Sequence, residues 1–411
     1  MNLFAIIILI TIIFDFILNL IADELNLKQL SGDLPSEFEG VYDEEAYQKS
    51  QDYTRINTKF GYLASSISLV VTLGFWFLGG FNLLDLWVRS LNLHAIWTGL
   101  IYIALLILFR SVISLPFSIY STFVIEEKFG FNKTTPKTFI MDIVKALLLS
   151  IVIGGPLLAG ILAFFSFAGQ LAWFYCWVVT TGFTLILQFI APTWIMPLFN
   201  KFIPLEDGEL KNRILEYARS VRFSLSNVFV IDGSKRSSKS NAFFTGFGKN
   251  KRIALFDTLI EKHTVSEMVA ILAHEIGHYK KKHIINGMVI SIIHSGIVFF
   301  LMGLFLSQKG LFDAFYMEHM SVYAGLLFFG MLYSPVELIL SIFMNILSRK
   351  QEYQADRFSV ETTQDGQAMI DALKKLSVHN LSNLRPHPFY VFLNYSHPTV
   401  LERIQAIRKV M

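Results

Sequence analysis

One cysteine, Cys176, is all that the 411 residues hold. A lone thiol excludes an intrachain disulfide framework and a cysteine-built zinc site. Its place in an apolar run makes packing its role. Charge is scarce as well. Asp, Glu, Lys and Arg together make up 16% of the chain, against about 25% in a soluble globular protein. The net charge of +3 is too small to hold a nucleic acid. No internal repeat recurs, which excludes a solenoid, and no low-complexity tract interrupts the chain. Apolar residues fill the space instead. They are 53% of the sequence, 39 of the residues are Phe, and the mean hydropathy is +0.50. That composition points to a membrane before any motif is read.

A membrane-spanning helix needs roughly 20 mostly apolar residues. Seven segments qualify: residues 3–22, 62–86, 96–125, 139–167, 171–199, 284–306 and 322–348. The first lacks a basic leader and a small-x-small cleavage site, and Asp15 interrupts it, so it reads as a span and not a signal peptide. An acidic loop, 23–59, is expected between the first two spans.

Two stretches are polar enough to stand in water. The larger, 200–283, has a helical run at 207–219, strands at 228–231, 241–246 and 252–256, and turns at 234–240 and 248–251. The smaller is the tail, 349–411. The chain thus divides into spans one to five (1–199), a catalytic region (200–283), spans six and seven (284–348) and a catalytic tail (349–411). Lys128, Lys133 and Lys137, then Lys280 to Lys282, then Arg349 and Lys350, all fall on one side. Basic loops stay cytoplasmic. This predicts an outside N-terminus and cytoplasmic catalytic regions.

The polar region ends in "HEIGH", residues 274–278. Four residues separate His274 from His278, which puts both on one face of a helix. Thr264 and Glu267 supply a capping box for that helix. Two neutral imidazoles suit zinc, and Glu275 is placed to take a proton from the attacking water. A zinc hydrolase takes three protein ligands and leaves a fourth position open. The extended motif with a third His is absent. His283 lies five residues past His278, about 140° away on a continuous helix, and reads as a residue of the membrane interface. The remaining candidate is Glu352 in "EYQAD" (352–356), with Asp356 one turn on to orient a ligand imidazole. The alternative for both acids is a solvated face paired with Arg357.

Peptide hydrolysis also needs donors aimed at a developing oxyanion. In "NYSHPTVLERI" (394–404), Ser396 and Pro398 suggest a helix start that holds His397 at its positive end, with Arg403 about two turns on. An edge strand at 241–246 could pair with an extended substrate, with Asn241 offering an amide. An ordinary hairpin strand fits the same pattern.

These residues together resemble the CAAX prenyl endopeptidases of type 1, which are integral-membrane zinc metallopeptidases. "LPFSIYSTFVIEEKFGFNK" (115–133), "SNAFFTGFGKNKRIALFDTLI" (240–260), "HEIGH", "EYQAD" and "NYSHPTVLERI" look like the family's signatures, in the family's order. The resemblance implies an all-α polytopic fold of seven membrane helices around a large hydrated chamber. A mainly helical zinc-peptidase domain with a small β-sheet would cap the cytoplasmic side. It implies one Zn2+ per chain on His274, His278 and Glu352, with Glu275 as general base and acid and Asp356 behind the ligands. His397 and Asn241 would help hold substrate and the tetrahedral intermediate, with Arg403 nearby in the catalytic set. The expected partners are membrane lipid and a peptide or protein substrate lipid-modified at a C-terminal cysteine, from which the last three residues are removed.

Other readings stay open. One is a quality-control protease of misfolded or translocon-clogging membrane proteins. Another is a channel or transporter with a structural metal, although a structural zinc is normally closed by four protein ligands. No C-terminal retrieval signal is present, so the membrane is expected to be a bacterial inner membrane or, in a eukaryote, the endoplasmic reticulum. Arg110, Asp142, Lys145, His294 and Glu337 fall within the spans and are expected to face a hydrated interior.

Overall fold

A computed structural model describes residues 1–30, 32–225, 227–245 and 252–411. Among them are seven helices long and apolar enough to cross a membrane: Leu3–Lys28, Glu44–Phe77, Ala95–Glu126, Pro136–Phe167, Gly169–Leu198, His283–Phe305 and Val322–Thr363. Most of their starts are capped as the sequence requires. Asn2, Asp43, Thr135 and Ser321 each accept a backbone N–H of the first turn, and Pro136 fits the first helical position. Along the first span Ile6, Ile10, Phe14 and Ile17 form an exposed apolar stripe, while Ile8 and Ala22 on another face are buried. In a bilayer the exposed stripe would meet lipid.

Four span boundaries differ from expectation, and the first span runs on past residue 22 to Lys28. The second span begins at Glu44, not near 62, because Asp43 caps it and Glu44 and Glu45 favour its first turn. Much of the expected acidic loop is therefore helical. That helix ends at Phe77, because Gly79 turns the chain with φ +72° and a separate helix, Gly80–Arg89, follows. The seventh span does not stop near 348. It runs unbroken for 42 residues, through Pro335, to Thr363.

The spans meet in an aromatic core toward their far end. Phe315 and Phe328 stack with centroids 3.8 Å apart, and Trp76 Nε1 donates to the Ala314 carbonyl at 2.8 Å. Between spans one, two, three and seven lies a cavity of about 920 Å3. Its lining is mixed and includes Asp15, Asn19, Asp23, Tyr62, Arg110 and Ser334.

The polar region carries a four-stranded sheet in the order β1-β2-β4-β3. β1 is Phe202–Pro204, β2 is Asn227–Ile231, β3 is Ala242–Thr245 and β4 is Arg252–Phe256. β2 and β4 are parallel; β1 and β3 run antiparallel to their neighbours and form the edges. β1 escapes the sequence pattern because three residues ending in Pro carry almost no alternation. The turn expected at 248–251 lies outside the described residues. Ile253 and Leu255 of β4 pack with Ile271, Leu272 and Ile276, so the sheet supports the helix that carries "HEIGH".

Candidate functional site

The motif helix, Val265–Lys280, begins at a complete capping box between Thr264 and Glu267. Its buried face rests on the sheet and on the seventh membrane helix. Gly277 makes the second contact possible. A β-carbon there would stand 3.1 Å from Ala355 Cα and 3.2 Å from its carbonyl oxygen. The Ser359 hydroxyl donates to the Ala270 carbonyl at 2.8 Å and fixes the same pair of helices.

This approach brings Glu352 to the two histidines. His274 Nε2 and His278 Nε2 are 3.1 Å apart. Glu352 Oε1 lies 3.2 Å from His278 Nε2, and Oε2 lies 3.4 Å from His274 Nε2. Ligands at about 2.0–2.2 Å from a tetrahedral zinc stand roughly 3.3–3.6 Å from one another. The two nitrogens and the two carboxylate oxygens, at 3.1, 3.2 and 3.4 Å, come within about 0.2 Å of that range. Glu352 Oε2 is also buried with no hydrogen-bond partner; the Arg403 guanidinium, its Nη1 3.6 Å away, answers its charge without a hydrogen bond. Two imidazole nitrogens and a carboxylate around one point are a donor set that could hold a metal ion.

The other polar groups are arranged behind this set. His274 Nδ1 lies 2.8 Å from Asp356 Oδ1. A carboxylate can only accept, so His274 donates from Nδ1, and once its second proton is lost the lone pair of Nε2 faces Glu352 and His278. Burial disfavours a charged His274, yet its hydrogen bonds with Asp356 and Glu352 outweigh that and push its pKa up to about 9. Burial also raises the pKa of Glu275, and the nearby His274 and His278 work against that rise. Arg403 is mostly buried and turned onto the acids behind the histidines, Asp356 and, with Nη1 at 3.6 Å from Oε2, Glu352. Its Nε and Nη2 donate to the two Asp356 carboxylate oxygens at 2.8 and 2.6 Å.

His397 is 61% exposed and its Nε2 is 3.5 Å from Glu352 Oε1, on the open side of the set. It is not at a helix end capped by Ser396. The cap is Thr399, which forms a capping box with Glu402 ahead of Val400–Arg408. Ser396 instead bonds the ring, Oγ to Nδ1, at 2.9 Å. The preceding loop is anchored to the seventh helix. Asn345 and Arg349 donate to the carbonyls of Leu393 and Val391, at 2.8 and 3.2 Å. Sequence reading takes Arg349 only as a topology signal, and nothing local marks its second task. Asn241 is exposed at the start of the edge strand β3, and its Oδ1 accepts from the Ala242 amide at 2.8 Å. No hydrogen bond among the described residues joins it to the donor set.

His283 differs most from expectation. It is 6% exposed, and its Nδ1 lies 3.0 Å from His278 Nδ1. The helix is not continuous there. Lys282 adopts φ +60°, the motif helix ends, and the sixth span starts at His283. That reversal undoes the 140° offset. A left-handed lysine has no signature in sequence.

Four of the ionisable residues singled out within the spans have polar partners. Asp142 takes a bidentate ion pair from Arg236 at 2.7 and 2.9 Å, and Arg236 Nη2 also donates to the Phe199 carbonyl at 2.9 Å. Lys145 donates to the Leu198 carbonyl at 2.7 Å. These bonds fasten the polar region to spans four and five. His294 lies 3.3 Å from Glu337 and 3.2 Å from the Tyr333 hydroxyl, and Arg110 lines the cavity.

Comparison with known proteins covers nearly the whole chain. Residues 24–201 match the model described as CAAX prenyl protease N-terminal, five membrane helices, and residues 204–411 match peptidase family M48. CAAX prenyl protease 1 of Saccharomyces cerevisiae is 38% identical, covering 91% of this chain and 88% of its own. The human CAAX prenyl protease 1 homolog is 33% identical over the same shares, 91% and 88%. The crystal structure of Saccharomyces mikatae Ste24p superimposes with a TM-score of 0.92 at 34% identity, covering 99% of both chains.

Proposed function

The chain belongs to the CAAX prenyl protease 1 family within peptidase family M48 and is a membrane metalloprotease; from that premise we propose that it cuts a prenylated peptide at a zinc centre held by His274, His278 and Glu352. The observation that carries the metal is the cluster of two imidazole nitrogens and the Glu352 carboxylate, 3.1–3.4 Å from one another, with Oε2 making no hydrogen bond. Bound there, one zinc per chain would supply a Lewis acid that acidifies water and polarises the scissile carbonyl.

The chain's own residues do the rest. Glu275 has its pKa raised by burial, so it takes a proton from the attacking water and returns it to the leaving amine. Asp356 holds His274 in the tautomer whose Nε2 faces the metal position, and Arg403 holds Asp356. Arg403 is thus a positioning residue. His397, exposed beside Glu352, donates to the oxyanion as it develops. β3 offers its free edge to an extended peptide, and Asn241 meets the substrate backbone at the strand's start.

The bond cut is the one after the prenylated cysteine, releasing a C-terminal tripeptide. The names of the curated relatives support this substrate class. The mixed polar and apolar cavity between the spans suits a lipid-modified chain. The basic loops favour a cytoplasmic side for the catalytic regions. The eukaryotic curated relatives favour the endoplasmic reticulum over a bacterial inner membrane. The test is cleavage of matched prenylated and unprenylated peptides by the purified full chain, with and without a zinc chelator. Prenylated peptide alone should be cut, and chelator should stop it. Equal rates on both peptides overturn prenyl specificity and favour a general quality-control role. Cleavage that survives the chelator overturns the metal mechanism.

A further inference from the structure

His278 needs an orienting partner as much as His274 does. A ligand imidazole free to carry its proton on either nitrogen spends part of its time with the wrong one facing the metal. Asp356 solves this for His274. No carboxylate does so for His278 among the described contacts. Its Nδ1 faces His283 Nδ1 at 3.0 Å, and His283 Nε2 faces Gln354 Oε1 at 2.9 Å.

From this geometry we propose that Gln354 and His283 form a two-step hydrogen-bond relay that sets the tautomer of the zinc ligand His278. The inference rests on the metal-centre reading above. The proton positions follow one from another. A carboxamide oxygen only accepts, so His283 carries its proton on Nε2 and donates it to Gln354. His283 Nδ1 is then a lone pair and accepts from His278 Nδ1. His278 is left with a lone pair on Nε2, the atom 3.2 Å from Glu352 and 3.1 Å from His274 Nε2. Both ligand histidines thereby present Nε2, one through a carboxylate and one through a neutral relay.

The positions support a dedicated role. His283 is 6% exposed although it opens a membrane helix. It reaches His278 only because Lys282 takes a left-handed turn. "EYQAD" then acts on the centre through three residues: Glu352 directly, Asp356 through His274, and Gln354 through His283. His283 and Gln354 touch neither substrate nor metal and are positioning residues.

The test measures zinc affinity of the full chain in detergent by competition with a graded chelator, together with the visible spectrum of the cobalt-substituted protein. Partners behind metal ligands typically contribute about 10- to 100-fold in affinity. His283→Ala and Gln354→Leu should each lose about that much and shift the cobalt bands. His283→Asn should recover most of the loss, since its carboxamide oxygen can accept from His278 Nδ1. Gln354 has an exposed side chain, so its variant tests the relay even if His283→Ala misfolds. Wild-type affinity and spectrum in both His283→Ala and Gln354→Leu overturn the relay. So does a His283→Asn variant as weak as His283→Ala, which would mark a packing role. His274→Ala serves as reference. If it keeps its zinc, the metal-centre reading fails; if it alone loses zinc, only the relay fails.

Discussion

Gly277 lies against Ala355 with little room for a β-carbon: the nearest backbone atom would be 3.1 Å away. The contact joins the two helices that carry the donor set, one with His274 and His278, the other with Glu352. Overpacking at such a point typically costs about 1–3 kcal/mol. Gly277→Ala should lower the unfolding midpoint and, by moving Glu352 outward, weaken zinc retention. Denaturation curves and metal content per chain, measured on the same preparation, check both.

Glu275 is not part of the donor triangle, so base and metal should separate by mutation. Glu275→Gln should abolish peptide cleavage and keep its zinc. His274→Ala should lose both. Metal analysis beside a cleavage assay reads the difference; zinc loss in Glu275→Gln would undo the division of labour.

The metal-free protein should respond to pH through His274. Its pKa in the fold, about 9, is above its ordinary 6.5. A group raised on folding stabilises the fold while protonated. That contribution is complete below about 6.5 and is lost as pH climbs through about 9. Chelated protein should therefore lose stability between those values. Zinc has to displace the same proton, so titrating zinc into chelated protein near neutral pH should release about one proton from this group. Thermal midpoints across pH, and calorimetry in two buffers of different ionisation heat, measure the two effects.

Arg236 and Asp142 join the turn after β2 to the fourth span through two hydrogen bonds. Hydrogen bonds between charged groups are worth about 1.5–3 kcal/mol when partly shielded, less the screening due to a pair about a quarter exposed. Either single Ala variant should destabilise the chain. The double variant should cost clearly less than the sum of the two. An additive result in a double-mutant cycle would show that the pair is not coupled.

Much of the membrane architecture is legible because long apolar runs have few alternatives. The seven spans and the strands β2 and β4 stand out by hydropathy and alternation. The spacing of His274 and His278 predicts a shared helix face, and the structure has one. Local pattern fails where backbone geometry decides. The helix from Glu44 hides in a polar stretch, the break at Lys282 has no glycine to announce it, and β1 is too short to alternate. Pairing across distance fails for the same reason. Nothing near Arg403 in the chain announces its bond to Asp356, and His283 looks peripheral until the chain turns back.

The seventh membrane helix runs on through Glu352 without a loop between. Four residues separate the end of its apolar stretch at Ser348 from Glu352, a rise of about 6 Å. The depth of the chemistry relative to the bilayer is therefore counted out in helical residues, like marks on a ruler.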